Sequence, residues 1–398
     1  MGLTAPRMSD KTVARAGIGP GPLLLVAVAA FGGPLALAAL YAPGAVEDVT
    51  NSGGLVTIVA TVVFIAPLVV WLRYARDISS SGGLTAYVEA AAGRPVALVQ
   101  GALWVGSYAL YLLYTSAYVV YDVLPAAWPG IHHWRPLLAG VLPAVVAMSA
   151  VAGRRVTLAV IGVLAVGQLA LLGLLDVVAV QHAPGAAAFH ASASQDTGRA
   201  LGGIATLFVC GSLPLFLGGE TRDGGRSLRR VLPPAFMLTA IGVLLAVYPL
   251  ARDPAFAKAE VPGLSLVRVD LNHSAGVAVG VGVAGSIMAV VLLEYVALTR
   301  LLNYVSGVSI RMWVWVLGGL LAVTGPISVA LDPDKFYDKL IKPSLVLLWL
   351  SQVIVVGVFP IYLHRRDKLK AWHVLVTLVA VAVMVFGFWN TVAGSSES

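Results

Sequence analysis

Long apolar runs alternate with short polar, mostly basic segments along the chain. Eleven runs approach the roughly 20 residues that a helix needs to cross a bilayer. They lie near 22–43, 55–74, 97–123, 136–152, 156–180, 200–220, 231–250, 274–299, 313–331, 341–363 and 371–391. This pattern predicts an all-α integral membrane protein. Two runs are interrupted. The first, "AAFGGPLALAALYAPG" at 29–44, carries Gly32-Gly33-Pro34 near its middle; the sixth, "LGGIATLFVCGSLPLFLGGE" at 201–220, carries Gly211 and Pro214. Proline inside a helix removes one hydrogen bond and clashes with the preceding turn. In lipid an unpaired backbone group costs several kcal/mol, so a break survives only where protein or a water-filled cavity surrounds it.

The composition agrees: 59% of residues are hydrophobic and 11% are charged, against about 25% charged in a soluble domain. With the N-terminus inside, the cytoplasmic segments hold 18 of the 26 basic residues, among them Arg154, Arg155, Arg222, Arg229, Arg230 and Arg300. That bias predicts a multi-pass protein of the cell membrane with residues 1–21 as a cytoplasmic tail, no cleavable signal, and the C-terminal "AGSSES" outside. The net charge of +7 then reflects orientation and does not call for nucleic acid. Cys210 is the only cysteine, so no intrachain disulfide forms.

The two interrupted spans each open a run of five, 22–180 and 200–363, with 371–391 as an additional helix. Five is odd, so the second run starts from the opposite side of the membrane, as an inverted repeat requires. Paired broken spans in corresponding positions point to a transporter's midplane site. Pro34 takes away the helical partner of the Ala30 carbonyl, and Pro214 that of Cys210. The amides of Leu35 and Leu215 become free donors at positive helix ends. The candidate substrate site is therefore Ala30, Phe31, Gly32, Gly33 and Leu35 with Cys210, Gly211 and Ser212. It offers carbonyls to a cation and amides to an anion. A simple proline kink is the competing reading of either helix alone.

The third span adds a face. Gln100, Trp104, Ser107, Tyr108, Tyr111, Tyr114, Tyr118 and Tyr121 fall within a sector of roughly 100° at helical period. Tyrosine faces hold ammonium groups by about 0.5–2 kcal/mol each. Tyr108 and Tyr111 are the candidates for lining a cavity; Tyr118 and Tyr121 read as belt residues near the outer interface. Glu294 is the carboxylate well inside a span, a coupling candidate by default, with a structural brace as the competing role. Asp176 reads as interfacial, Glu89 as solvated, and Glu220 is expected to tie its helix end to "RDGGRSLRR". His132, His133 and His182 have no cysteine or carboxylate at ligand spacing. "GGETRDGG" lacks the Lys-Ser/Thr ending of a nucleotide loop. No metal, cofactor or ATP drive is expected.

Four stretches resemble the amino acid–polyamine–organocation permeases: 29–44, "SSGGLTAYVEAAAGRPVALVQGALW" at 80–104, "LFVCGSLPLFLGGETRDGGRSLRRVLP" at 207–233, and "ALTRLLNYVSG" at 297–307. The resemblance implies a leucine-transporter-type fold, a third helix that lines the central cavity, and alternating access around a midplane site. It implies secondary transport of an amino acid or small organic amine, with a proton or substrate gradient as the energy source. Gly32-Gly33-Pro34 departs from the family's Gly-x-Gly, which removes an amide for a substrate carboxylate. Gln168 stands about where some proton-coupled members have lysine, and is the second coupling candidate. The alternatives are a substrate other than an amino acid, a non-transporting sensor or partner-binding protein on the same scaffold, and an integral membrane enzyme, for which no catalytic constellation is visible.

Overall fold

A computed structural model describes residues 17–182, 186–191, 195–331 and 333–393. Among them, eleven helices are long and apolar enough to cross a membrane: α1 (Pro20–Ala45), α2 (Glu47–Asp77), α3 (Arg94–Ala127), α4 (Pro129–Val151), α5 (Arg154–His182), α6 (Asp196–Glu220), α7 (Gly225–Arg252), α8 (His273–Ser306), α9 (Ile310–Ala330), α10 (Lys339–His364) and α11 (Ala371–Ala393). The eleven predicted spans are all present. Of the expected tails, 1–21 and 393–398, residues 1–16 and 394–398 lie outside the described residues. Short helices, Gly83–Ala92 and Pro262–Asp270, pack between spans.

Burial sorts the helices. The apolar windows of α1, α6 and α8 are 83%, 72% and 72% buried, whereas those of α4 and α5 are 22% and 28% buried. An apolar side chain gains nothing by leaving lipid for another apolar surface. The buried helices are accordingly rich in Ala, Gly and Ser, which permit close approach, as in "VAVAAFGG" of α1 and "VGVAGS" of α8. The two helices interrupted by glycine and proline are thus central, where protein surrounds their irregular backbone.

Polar ties fix the helix ends. Thr85 donates to Gln100 Oε1 at 2.7 Å, and Gln100 Nε2 donates to Ser351 at 2.9 Å, a buried chain that joins helix Gly83–Ala92, α3 and α10. Gln100 therefore braces α3 and does not face the cavity. Ile18 pairs with the end of α6: its N–H donates to the Glu220 carbonyl at 2.8 Å, and its carbonyl accepts from Arg222 N–H at 3.1 Å. The Glu220 carboxylate receives Arg300 Nε at 2.5 Å and Nη2 at 3.2 Å, with Arg154 Nη1 at 3.5 Å. The expected tie to the 222–230 loop is replaced by one to α8 and α5, because the 3₁₀ end of α6 turns Glu220 inward toward them. Asp176, late in α5 where an interfacial group was expected, is half-buried, with one oxygen enclosed and without a partner among the described residues.

Candidate functional site

The first helical segment of α1 stops at Ala30 and a new one starts at Pro34. Between them Phe31 adopts φ −73°, ψ 52°, an inverse γ-turn. The Ala30 carbonyl accepts from Gly32 N–H at 2.7 Å and the Ala29 carbonyl from Gly33 N–H at 3.0 Å. Both glycines have positive φ, 71° and 68°, which side-chain-bearing residues rarely adopt. The Ala30 carbonyl is thus not orphaned, contrary to expectation, because the tight turn re-pairs it. The free acceptors are one step later: the carbonyls of Phe31 and Gly32 receive no hydrogen bond among the described residues. On the far side Leu37 N–H returns to Gly33, and Ala36 N–H donates to Ser286 Oγ at 3.3 Å. Ser286 in turn donates to Gln168 Oε1 at 2.5 Å. Gln168 therefore ties α5 to α8 and, through Ser286, to the restart of α1, with its own Nε2 buried and unpartnered.

α6 changes differently. It is α-helical to Leu207 and continues from Val209 to Glu220 as tighter 3₁₀ helix. The unwinding expected at Gly211–Pro214 is absent, and Leu215 lies within the 3₁₀ segment instead of at the open start of a new helix. Gly211 serves contact. A Cβ on it would lie 2.1 Å from a ring carbon of Phe31, and a Cβ on Gly32 would lie 3.0 Å from the Leu207 carbonyl. The turn in α1 and the α-to-3₁₀ transition in α6 therefore face each other in direct contact.

Beside this contact lies a cavity of about 170 Å³. Its walls are Gly32, Leu37 and Tyr41 of α1, Thr206, Leu207 and Cys210 of α6, and a run of α3 that includes Ser107, Tyr108, Tyr111 and Tyr114. α10 closes it with Ile341, Ser344, Leu345 and Leu348, joined by Tyr337 from the helical turn that leads into it. Of the residues expected at the site, Gly32, Tyr108, Tyr111 and Cys210 line this cavity. Ala30, Phe31, Gly33, Leu35, Gly211 and Ser212 are packed behind the wall. The α10 residues were not legible, and Tyr118 was misassigned. Tyr118 stacks on Tyr41 at 6.5 Å and on Tyr337 at 4.8 Å between ring centres. It covers the cavity from the side opposite Glu220 and is not a lipid-belt residue. Tyr121, one turn on, stands apart from the cover, with the Arg135 guanidinium 5.5 Å from its ring centre.

Among the described residues no charged one lines the cavity, but one stands behind it. Glu294 of α8 is fully buried, and neither carboxylate oxygen has a partner among the described residues. The nearby arginine expected to modulate it, Arg300, is engaged by Glu220. Glu294 instead lies within electrostatic reach of Tyr108, Tyr111 and the Cys210 thiol. The Tyr108 hydroxyl stands beside Cys210 and Ser212 without reaching hydrogen-bond geometry with either. This leaves a group of polar atoms at the cavity's inner corner with unmet hydrogen-bonding capacity. Among the described residues there is no cluster fit for a metal ion. His182 does have a carboxylate partner, Asp270 at 2.9 Å, which its sequence neighbours did not reveal.

The overall fold is shared with solved transporters. The structure of MhsT in complex with L-phenylalanine superposes with a TM-score of 0.68 at 16% identity, covering 92% of this chain and 98% of that one. A manganese transporter from Eremococcus coleocola gives 0.64 at 13% identity over 100% of this chain and 90% of its own. A Na+-coupled sialic acid symporter, in a substrate-bound outward-open state, gives 0.58 at 12% identity over 96% and 92%. The fold is the leucine-transporter type. No protein-family model and no curated protein sequence matches the chain.

Tyr41, Tyr118 and Tyr337 stand over one side of the cavity, and the Glu220–Arg300 pair joins α6 to α8 away from its lining. Cys210, half-buried on its wall, is a built-in reporter of access. A hydrogen bond to a charged group contributes about 1.5–3 kcal/mol. Glu220→Gln weakens the bond to Arg300 and should raise the rate at which a small maleimide modifies Cys210 by about tenfold. An unchanged rate would show that this pair does not limit access to Cys210.

Proposed function

We propose that the protein is a secondary transporter of small organic amines, amino acids included, working by alternating access at the tyrosine-lined cavity. The observation that carries this reading is the pairing of that cavity with the α1 turn. Tyrosines 41, 108, 111, 114 and 118 surround a space next to the unpaired carbonyls of Phe31 and Gly32, with no basic residue on the wall among the described residues. Ring faces and carbonyls both attract ammonium. The two glycine amides of the turn are consumed internally, and Pro34 has none. This favours the amine end of a ligand over a carboxylate as the recognised group. A dry cavity of about 150 Å³ admits benzene, so roughly six to ten non-hydrogen atoms fit here without expansion.

The units 22–180 and 200–363 would move against one another around this site, in a cell membrane with the N-terminus cytoplasmic. The resemblance to amino acid–polyamine–organocation permeases and the phenylalanine bound to MhsT support an amine-bearing substrate. The manganese and sialic acid transporters show that the fold alone does not select one. Glu294 would carry the coupling proton, and Gln168 would hold α1, α5 and α8 together without titrating.

The test is thermal unfolding of the purified protein with aliphatic amines, amino acids and the matching carboxylic acids. A ligand that binds the folded state raises its apparent stability, by about 2.7 kcal/mol at one hundred times its Kd. Amines and amino acids should stabilise, and carboxylic acids of the same carbon skeleton should not. Stabilisation by the acids alone would overturn the reading. Tyr108 packs against Trp104 at 4.1 Å between ring centres, so alanine there removes packing as well as chemistry. Tyr108→Phe keeps the ring. It should retain stability yet weaken transport about five- to tenfold, the value of one hydrogen bond of about 1 kcal/mol or slightly more. Unaltered transport kinetics would remove the Tyr108 hydroxyl from the site.

A further inference from the structure

A second cavity, of about 680 Å³, opens where α4 ends, α5 and α9 begin, and α6 and α8 reach the same face. It shares no lining residue with the tyrosine cavity. Three guanidinium groups line it, Arg154, Arg300 and Arg311, against one carboxylate, Glu220. Arg300 is committed to Glu220 through two hydrogen bonds, and Arg154 Nη1 lies 3.5 Å from the same carboxylate. Arg311 is exposed and has no ion pair among the described residues. Among the described residues the lining therefore carries a surplus of positive charge.

The backbone adds to it. α5 starts at Arg154 and α9 at Ile310, two long helices of 29 and 21 residues whose first turns border the cavity. The opening amides of a helix have no intrahelical acceptor and lie at its positive end. The cap of α9 satisfies Met312 N–H through the Ser309 side chain, at 3.4 Å, and leaves the amides of Ile310 and Arg311 open. Arginine side chains and helix N-termini together are the chemistry of a phosphate site.

The flank decides what carries the phosphate. Val151 and Trp315 line the cavity and are exposed, in helices whose outer faces are apolar. A tryptophan one turn into a membrane helix sits at headgroup depth. A soluble phosphate has no use for that flank, whereas a lipid places its glycerol and upper acyl chain there. We propose that this cavity binds an anionic phospholipid, with the phosphate between Arg154 and Arg311 and the acyl chains along Trp315. Because Arg154 also faces Glu220, a bound phosphate competes for the cation that supports the α6–α8 closure.

Purified full-length protein in detergent, titrated with phosphatidylglycerol, phosphatidylcholine or glycerol 3-phosphate, tests this by native mass spectrometry and thermal unfolding. Phosphatidylglycerol should bind and raise the unfolding temperature more than phosphatidylcholine, and glycerol 3-phosphate should do neither. Each arginine near the surface changes anionic-lipid affinity about fivefold, so the double variant Arg154→Gln, Arg311→Gln should bind phosphatidylglycerol about 25-fold more weakly. Arg311→Gln alone, at an exposed and unpaired position, should lose about fivefold and keeps the test open if the double variant does not fold. Equal binding of both lipids, or undiminished phosphatidylglycerol binding by Arg311→Gln, overturns the proposal. Stabilisation by glycerol 3-phosphate equal to that by the lipid assigns the cavity to a soluble anion and overturns it as well.

Discussion

Glu294→Gln is expected to abolish pH-driven accumulation in liposomes while substrate-for-substrate exchange continues at reduced affinity. Glu294 is fully buried with both oxygens unpartnered, among tyrosines and a thiol. A bare carboxylate in such surroundings costs several kcal/mol unless a counter-charge arrives. Two states of the site are therefore tolerable: a protonated acid behind an empty cavity, and a carboxylate facing a cation within it. On the proposed reading an entering ammonium would displace the proton, and transport would exchange one for the other. The expected sign follows: substrate should accumulate on the acidic side of the membrane in the native protein. Glutamine preserves the shape and hydrogen bonding of the side chain but holds no proton to exchange. Native-level accumulation by Glu294→Gln under a pH gradient would remove Glu294 from the coupling step and leave it as a brace of α8.

The broken α1 was legible because its signal is local. Consecutive glycines permit positive φ, and proline fixes where the next helical segment begins, so Gly32-Gly33-Pro34 specifies its turn almost unaided. Gly211 looked equivalent and is not. Its role is to admit the Phe31 ring, a contact with a residue from another helix that no spacing within α6 encodes. For the same reason α10 was not read as a cavity wall. Tyr337 stands in "LDPDKFYDKL", which has the polarity of a loop, and its function comes from stacking on Tyr118. Tyr118 shows the converse, since a tyrosine near a helix end has the same pattern whether it meets headgroups or a second tyrosine. Glu220 was recognised as an anchor, but its partners Arg154 and Arg300 are distant in sequence, and nearer arginines in the 222–230 loop drew the assignment.

Gly33→Ala is expected to impair both folding yield and transport, more than a similar change at any other α1 position near the turn. At φ 68° and ψ 96° the glycine occupies a region that residues with a side chain adopt at a cost of about 1–3 kcal/mol. A Cβ at this position would also lie 2.4 Å from Ser286 Oγ and 2.8 Å from the Ser286 carbonyl. The hydroxyl can rotate, but the carbonyl belongs to the buried backbone of α8. Relief therefore requires α1 and α8 to separate, which breaks the Ala36–Ser286–Gln168 chain. Against a typical net stability of about 5–15 kcal/mol the combined loss is large. Ser286→Ala in the same chain distinguishes space from strain. It removes the nearer contact and leaves the φ penalty and the carbonyl contact in place. The double variant should recover part of the unfolding temperature lost by Gly33→Ala but little of the transport, because the serine that links the restart of α1 to Gln168 is gone. Full recovery of transport would show that the hydroxyl contact alone was at fault and that the glycine conformation is dispensable.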